Sequence, residues 1–435
     1  MARIIRWILL LRRFLASLRE EGPRAALRKV RIFVGMRLRG AAPSLFGGPS
    51  ASAEPHQYML GLWSDMARGG GFHARPGPEM APRIALIGDL NLAQCRKYRV
   101  EQLAEFWEAQ GVGCEFAHYQ DVPRVLRLMQ QATHLCEYRL QVMPITTMFR
   151  YEARRLGLPV LYDIDDPLFS ISAYETYGNM EEVAPGLKAH FLAEAPKYAE
   201  MMNGADLVTL STPGLMEHAG QFTRRPVYLR RNFADKDTLK RGAEAMAGRP
   251  APDGLFRVVF ASGSMGHEAD FMEILAPLRD FILAAPERRL TILGHFKIED
   301  LPEALAERTE HKRFVPYDRY LGALAACDVA VMPLRDDLFN RCKSGVRVID
   351  AASVGLPSVV GTVGDLQALV EDGTTGIVAR GPEDWRAALE RLAGDPGRCR
   401  AMGRAARAGL ERRWSTQSGA HIISPQVLSW VQRPR

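Results

Sequence analysis

The sequence predicts an α/β protein in which two parallel-sheet domains face a central cleft, with a basic helical extension in front of them. Apolar segments of strand length alternate with helical segments along most of the 435 residues, a pattern typical of doubly wound parallel sheets. A charged stretch at 235–254, rich in Ala, Gly and Pro and without a sustained apolar period, divides this alternation into two halves. We therefore expect this stretch to connect two domains, each large enough to bury its own core.

The basic charge of the chain is concentrated in its first 40 residues. They hold 11 Lys or Arg and two acids, whereas the whole chain has a net charge of +7, so the remaining residues are slightly acidic. The apolar run at 7–11 is too short for a membrane span or for the core of a signal peptide. A helix here would carry an apolar stripe flanked by arginines, formed by Ile4, Ile8, Leu11, Leu15 and Leu18.

Such a basic amphipathic helix is suited to an anionic membrane surface, and we expect residues 1–80 to form this extension and a loose linker. The alternatives are a helix packed on the protein's own first domain and a tether to a partner protein. Nucleic acid is a poor fit, because no recognition motif accompanies the charge. The six cysteines show no short paired spacing, which predicts a reducing compartment. We expect a cytoplasmic protein, peripheral on the inner face of the plasma membrane.

The first predicted domain covers residues 81–235. Its strands lie at 83–87, 113–119, 133–138, 159–164, 205–211 and 227–229. The second predicted domain covers residues 253–400, and a helical segment follows at 401–435. The clearest strands of this second domain lie at 256–261, 289–293, 329–333 and 358–360. Because ligands of such sheets bind outside the carboxyl ends of the strands, two facing sheets predict a site in the cleft between them.

Residues 340–378, NRCKSGVRVIDAASVGLPSVVGTVGDLQALVEDGTTGIVA, carry the strongest motif. A helix, a glycine turn, a buried strand and a second glycine turn follow one another, which places helix-start amides beside a strand end. The stretch resembles the donor-binding signature of GT-B glycosyltransferases of the group 1, or family 4, type. Its local form resembles transferases of bacterial surface-polysaccharide assembly. The resemblance implies a GT-B fold, in which two Rossmann-like domains bind acceptor and nucleotide sugar respectively.

The resemblance also implies a set of donor-binding residues. Asp350 takes the place of the second of two family glutamates, which contacts the nucleotide ribose, whereas Cys342 stands where the family has the first. Beside it, the turn Lys343-Ser344-Gly345 suits a diphosphate, through an ammonium group and backbone amides. The alternative is that Asp350 is an ordinary helix residue and Lys343 a solvated one.

A second donor segment is expected after the first strand of the second domain. Ser262, Gly263 and Ser264 are small and permit close approach of a phosphate to the backbone. His267 lies nearest to a lysine that the family places there, and we expect it to contact phosphate or sugar. A role as a helix-start residue without a ligand is nearly as good an account of His267.

The first domain is expected to hold the acceptor and a catalytic group. Arg96 and Arg99 lie three residues apart at a helix start, and on one face they would grip an acceptor pyrophosphate, with surface salt bridges as the alternative. Asp165 and Asp166 follow a strand that ends at the cleft, where either would hold an acceptor hydroxyl or act as a base. With Asp163 they also form an Asp-x-Asp pattern, which binds metal in the GT-A fold, but the GT-B pattern favours no metal.

Taken with the resemblance, these residues predict an enzyme that moves a sugar from a nucleotide-sugar donor to a glycan or lipid-linked acceptor in cell-surface polysaccharide synthesis. It would be hexosyltransferase-like and retain anomeric configuration. No cofactor is expected, since the nucleotide sugar is a substrate. The alternatives are a catalytically silent GT-B scaffold subunit, which the loss of the glutamate at Cys342 favours, and a GT-B nucleotide-sugar epimerase.

Overall fold

A computed structural model describes residues 81–433 apart from 182, 263–266 and 417, together with scattered positions between 11 and 68. It contains two six-stranded parallel sheets flanked by helices. The two-domain α/β architecture predicted from the sequence is therefore confirmed.

The first sheet has the strand order β2-β1-β3-β4-β5-β6, and all its neighbouring strands run parallel. Its strands are β1 Arg83–Gly88, β2 Gly113–His118, β3 His134–Tyr138, β4 Val160–Ile164, β5 Leu207–Leu210 and β6 Val227–Leu229. Helix α1 is composite and consists of Ala93–Cys95, the π-helical Arg96–Glu101 and Gln102–Ala109. The helices that follow are α2 Val122–Gln131, α3 Pro144–Leu156, α4 Ile171–Thr176, α5 Pro185–Asn203 and α6 Pro213–Ala219.

The second sheet has the order β12-β11-β10-β7-β8-β9 and is also parallel throughout. Its strands are β7 Phe256–Ser262, β8 Arg288–Gly294, β9 Thr309–Lys312, β10 Val329–Met332, β11 Ser358–Val360 and β12 Gly376–Val378. Helix α7, Lys236–Ala247, precedes the sheet. The helices that cover it are α8 Glu268–Met272, α9 Leu275–Leu283, α10 Glu303–Ala306, α11 Tyr317–Ala325, α12 Leu338–Arg341, α13 Val346–Ser353, α14 Pro382–Gly394 and α15 Pro396–Arg413.

Both sheets are buried on two faces, which explains why their strands are continuous apolar runs. In β1, Ala85 and Ile87 pack into one hydrophobic cluster, whereas Ile84 and Leu86 pack into another. Strand β7 divides in the same way between two further clusters. Alternate side chains of a strand point to opposite faces, so each sheet is the middle layer of three.

The connection between the domains differs from its prediction, because residues 236–247 form helix α7 rather than an irregular linker. Asp235 caps this helix by accepting a hydrogen bond from the Thr238 amide at 2.7 Å. The helix is rich in alanine and mostly exposed, so it lacks the apolar period that would have indicated it. Its Gly242 packs against the backbone of Ser353 in α13.

The C-terminal segment returns to the first domain. The boundary expected at residue 400 falls within α15, and the chain continues through α16, Gly419–Ile422, to α17, Pro425–Gln432. Val427 and Val431 join the cluster that contains Ile84 and Leu86. The C-terminal helix thus completes the hydrophobic layer on one face of the first sheet.

The predicted basic extension lies mostly outside the described residues. Among its described positions, Leu11, Leu15 and Leu18 are helical and leave 59%, 45% and 36% of their surface exposed. No helix in the described part of the chain is long and apolar enough to cross a membrane.

Candidate functional site

The candidate site lies where the carboxyl ends of the two sheets meet. The structure brings the two sides into direct contact through the turn between α12 and α13, which carries Lys343. The Lys343 ammonium donates a hydrogen bond to the Tyr177 hydroxyl, 2.6 Å away in the first domain, and it lies 4.9 Å from the centre of the Tyr177 ring. A cation held against an aromatic face in this way is both positioned and partly desolvated.

Ser344 and Gly345 occupy the same turn. The Ser344 hydroxyl accepts a hydrogen bond from the Asn232 side-chain amide at 2.8 Å, and Asn232 in turn accepts one from Arg99 at 2.9 Å. A side chain at Gly345 would collide with Leu369. The turn is therefore packed against Leu369 of its own domain and braced by Asn232 from the first domain.

Asp350 lies one helical turn further along α13 and is 3% exposed. Its carboxylate accepts hydrogen bonds from Tyr98 at 2.8 and 2.7 Å and from Tyr317 at 2.7 Å. Burial raises the pKa of Asp350 to about 6, against the opposing effect of these tyrosine hydroxyls. The carboxylate expected to meet a ribose is thus enclosed by phenol hydroxyls, one of them from the first domain.

Cys342 does not replace the missing family carboxylate by charge. Its side chain is 1% exposed, and burial raises the pKa of the thiol to about 12. The thiol is therefore neutral at physiological pH. The Cys342 carbonyl accepts a hydrogen bond from Thr212 at 2.8 Å, so this position contributes a backbone contact between the domains.

His267 belongs to a second buried group on the donor side, centred on Asp270. The Asp270 carboxylate bonds to His267 Nδ1 at 2.9 Å, and it accepts hydrogen bonds from Asn340 at 2.8 Å and Asn179 at 3.1 Å. Burial, followed by the charge of Lys343, lowers the pKa of His267 to about 4. The ring is therefore neutral at pH 7 and bonds the carboxylate by donating from Nδ1.

The segment before His267 that was predicted to approach a phosphate is only partly described. Ser262 ends β7 and is fully buried, and its carbonyl accepts a hydrogen bond from the His295 amide at 3.2 Å. Gly263 and Ser264 lie outside the described residues.

Asp165 and Asp166 follow β4 and face Arg139, which follows β3. Arg139 lies 2.6 Å from the Asp166 carboxylate and 3.8 Å from that of Asp165. Tyr138 donates a hydrogen bond to Asp165 at 3.2 Å. Burial raises the pKa of Asp166, an effect that Arg139 opposes, and Lys343 also acts on this carboxylate electrostatically. The acidic pair is therefore held by Arg139 within the first domain, and its Asp166 carboxylate lies within electrostatic range of Lys343.

Arg139 has an unusual backbone. Its φ angle of 53° makes it the one non-glycine residue with a positive φ in the described part of the chain. Left-handed backbone costs a non-glycine residue about 1–2 kcal/mol, and such strain concentrates at functional sites. Sequence analysis did not identify Arg139, because neither its spacing nor its neighbours distinguish it.

Asp163 does not join Asp165 and Asp166 in a metal site. It is 1% exposed and lies between two buried arginines, Arg99 at 2.6 Å and Arg230 at 3.1 Å. Its charge is thereby compensated within the first domain, away from the acidic pair. Among the residues that the structure describes, no group of three His, Cys, Asp or Glu side chains could hold a metal ion.

The arrangement expected for Arg96 and Arg99 is corrected by the structure. Arg96 pairs with Glu101 at 2.6 Å and stacks on Phe116, whereas Arg99 is 1% exposed and bonded to Asp163. The two lie three residues apart in the π-helical part of α1, where the wider turn separates positions that share one face of an α-helix. They do not form a joint anion grip.

Sequence analysis did not predict the tyrosines and amides that contact the second domain from the first, namely Tyr98, Tyr177, Asn179 and Asn232. Each contacts a residue between 91 and 252 positions away along the chain. Contacts of such sequence separation leave no local pattern.

A cavity of about 270 Å³ lies elsewhere in the described structure. It is lined by α13, α15 and the 368–371 segment, including Ile349, Leu369, Leu410 and Trp414, and its lining includes none of Lys343, Ser344 and Asp350. We place the candidate site in the closed cleft rather than in this cavity, because the polar and charged groups converge in the cleft.

Comparison with known proteins identifies relatives of this chain. Residues 273–423 match the family model described as glycosyl transferase-like. The chain is 24% identical over 332 residues to a D-inositol 3-phosphate glycosyltransferase of Corynebacterium aurimucosum, covering 73% of this chain and 69% of the relative.

A second relative and a solved structure extend the comparison. The chain is 29% identical over 150 residues to a GDP-mannose-dependent monoacylated alpha-(1-6)-phosphatidylinositol monomannoside mannosyltransferase of Corynebacterium glutamicum, covering 33% of this chain and 39% of the relative. The structure of WaaG, a glycosyltransferase involved in lipopolysaccharide biosynthesis, superposes with a TM-score of 0.54 at 11% identity. That superposition covers 80% of this chain and 99% of WaaG, and it shows the shared fold.

Proposed function

We propose that this chain, a GT-B glycosyltransferase of the group 1 type, transfers a hexosyl group from a nucleoside diphosphate sugar to a glycan or lipid-linked acceptor in cell-surface polysaccharide synthesis. The observation that carries the proposal is the position of the Lys343 turn. The second domain presents Lys343 to Tyr177 and Ser344 to Asn232 of the first domain, and Lys343 acts electrostatically on Asp166.

On the donor side, Lys343 and the amides at the start of α13 would bind the diphosphate. Asp350 would bind the ribose hydroxyls, and His267 would lie beside the diphosphate as a neutral hydrogen-bonding group. The transfer depends on neutralising the departing diphosphate, and Lys343 is the cation best placed to do so. This scheme uses the nucleotide sugar as a substrate and requires neither a cofactor nor a metal.

On the acceptor side, Asp165 and Asp166 would position or deprotonate the acceptor hydroxyl. Burial raises the pKa of Asp166 above that of an ordinary carboxyl group, a shift in the direction that favours a general base. Arg139 holds this carboxylate in place. The mannosyltransferase relative, whose name describes a GDP-mannose donor and a phosphatidylinositol-linked acceptor, supports a nucleotide-sugar donor and a lipid-linked acceptor for this chain.

A membrane-associated acceptor also fits the exposed leucines at 11, 15 and 18. They form the apolar stripe of a helix whose neighbours are arginines. We assign residues 1–40 to the anionic inner face of the plasma membrane, which would place the cleft near a lipid-linked acceptor.

The proposal is tested first by thermal denaturation in the presence of UDP, GDP, UDP-glucose and GDP-mannose. We expect one nucleotide family to raise the melting temperature by several degrees, since a ligand that binds the native state stabilises it. If none of them stabilises the protein, the proposed donor site is wrong. Anomeric configuration of the product, measured by NMR during turnover, should match that of the donor.

The alternatives give different products. A scaffold subunit would bind the nucleotide but would not cleave a nucleotide sugar, even with membrane extract as a source of acceptor. An epimerase would convert one nucleotide sugar into its epimer without an acceptor. The buried, neutral thiol at Cys342 favours the scaffold more than the epimerase, because it removes a family carboxylate without a charged replacement.

A further inference from the structure

The π-helical turn Arg96–Glu101 of the first domain contacts helix α13 through Tyr98. Two neighbours of Tyr98 in this turn also approach the second domain, one directly and one through another residue. Lys97 lies 4.5 Å from the centre of the Tyr317 ring, Tyr98 bonds Asp350, and Arg99 reaches Ser344 through Asn232.

The Tyr98 hydroxyl occupies hydrogen-bond acceptor positions on the Asp350 carboxylate. This hydroxyl lies 2.8 Å from Oδ1 and 2.7 Å from Oδ2, so one phenol spans both oxygens of the carboxylate. Tyr317 takes a further position on Oδ1 at 2.7 Å. With Asp350 only 3% exposed, a sugar hydroxyl cannot approach this carboxylate while Tyr98 remains there.

The two tyrosines differ in where they are attached. Tyr317 begins α11 and belongs to the same domain as Asp350, so it stays beside the carboxylate when the domains separate. Tyr98 belongs to the other domain and leaves with it. Its ring meets the Tyr317 ring edge-on, with centroids 6.4 Å apart, so the contact between the domains is packed as well as hydrogen-bonded.

A ribose presents two neighbouring hydroxyls, and hydroxyls donate to a carboxylate as a phenol does. We propose that Tyr98 occupies the place of the ribose hydroxyls on Asp350, so that Tyr98 and the nucleotide compete for this carboxylate. The closed, ligand-free protein is then self-occluded, and donor binding must displace the π-helical turn. This inference rests on the proposed function, since it concerns the nucleotide site of that function.

Loss of the Tyr98 hydroxyl should change nucleotide affinity in the direction opposite to the loss of a ligand contact. Removing a residue that binds the nucleotide weakens affinity, whereas removing an internal competitor strengthens it. Tyr98→Phe deletes the hydroxyl and keeps the ring packing. A hydrogen bond to a charged group is lost from the closed state alone, so we expect the Kd for UDP or GDP to fall by about five- to ten-fold.

Tyr317→Phe is the matched control, because it also removes one hydrogen bond to Asp350 but within the donor domain. We expect it to leave the Kd unchanged or to raise it. Tyr98→Leu provides a second variant without the hydroxyl, should the phenylalanine variant fold poorly. Calorimetry with UDP and GDP measures all four proteins.

Hydrogen exchange gives an independent reading. Nucleotide should protect amides of Val346–Ser353 while increasing exchange in Arg96–Glu101, because the turn is displaced. A wild-type protein that binds nucleotide while both Tyr98 variants bind equally or more weakly would overturn the inference alone. Absence of binding by the wild type and by every variant would instead overturn the proposed function on which it rests.

Discussion

The Lys343 ammonium of the second domain lies 2.6 Å from the Tyr177 hydroxyl of the first. This contact joins the Lys343 turn to the first domain, which also carries the acidic pair Asp165 and Asp166. Lys343 also acts electrostatically on Asp166, His267 and Asp270. The Lys343 ammonium therefore influences titratable groups of both domains in the cleft.

Arg99 should be a stability residue and Arg96 should not. Replacing Arg99 with Ala leaves Asp163 buried with one arginine instead of two, and we expect the free energy of unfolding to fall by about 3 kcal/mol. Arg96→Ala removes a half-exposed ion pair and should cost less than about 1 kcal/mol. Urea denaturation measures both. Equal effects would contradict the separation of the two side chains by the π-helical turn.

The Arg139 guanidinium should be needed for activity, whereas the left-handed backbone at this position should not require an arginine. Both Arg139→Gly and Arg139→Ala remove the guanidinium from the acidic pair, and we expect each to lower kcat about ten-fold or more, because Asp165 and Asp166 lose their partner. Glycine accepts a φ of 53° without strain, so the glycine variant should be about 1 kcal/mol more stable than the alanine variant. Retained kcat in the glycine variant would exclude a functional role for Arg139.

Asp350 should make stability depend on pH. Its pKa is raised from 3.8 to about 6, so the native state binds the proton more tightly than the unfolded chain, and stability rises as pH falls from 7 towards 4. For this group the gain is at most about 3 kcal/mol. The charged or titratable groups that act on it or with it are Lys97, Tyr98, Asp235, Tyr317 and Tyr320.

Asp350→Asn isolates this contribution, since Asp365 has a similarly raised pKa and titrates in both proteins. Denaturation of wild type and variant at several pH values should show a difference in slope between pH 4 and 6. Parallel curves would mean that the Asp350 carboxylate is not buried as the structure has it.

The leucine stripe of the N-terminal extension should control membrane association. Replacing Leu11, Leu15 and Leu18 with Ser preserves every basic residue and removes the exposed apolar face. We expect the protein to move from the membrane fraction to the supernatant after cell lysis, as it should after deletion of residues 1–40. If only the deletion releases the protein, charge or another segment provides the attachment.

Local pattern was sufficient for much of the fold. The apolar runs of the strands and the turn at Lys343 could be located from the sequence because glycine turns and buried strands have short-range signatures. Helix α7 could not, since its alanines give no apolar period and its packing on α13 is a tertiary effect.

The site was less predictable than the fold. The motif located Lys343 and Asp350 as candidate residues, but it gave no sign of the tyrosine that covers Asp350, which is 252 residues away. Arg99 was misplaced because spacing of three predicts one face only in an α-helix, and the segment is a π-helix. A π-turn of this kind has no sequence signature in the residues around Tyr98.

The central claim is that the Lys343 turn binds the diphosphate of a nucleotide sugar. It is tested most directly by calorimetry of UDP and GDP binding to the wild type, to Lys343→Ala and to Lys343→Arg. We predict that the wild type binds one of them, that Lys343→Ala loses affinity by about ten-fold or more, and that Lys343→Arg retains part of it. Unchanged affinity in Lys343→Ala would contradict the claim.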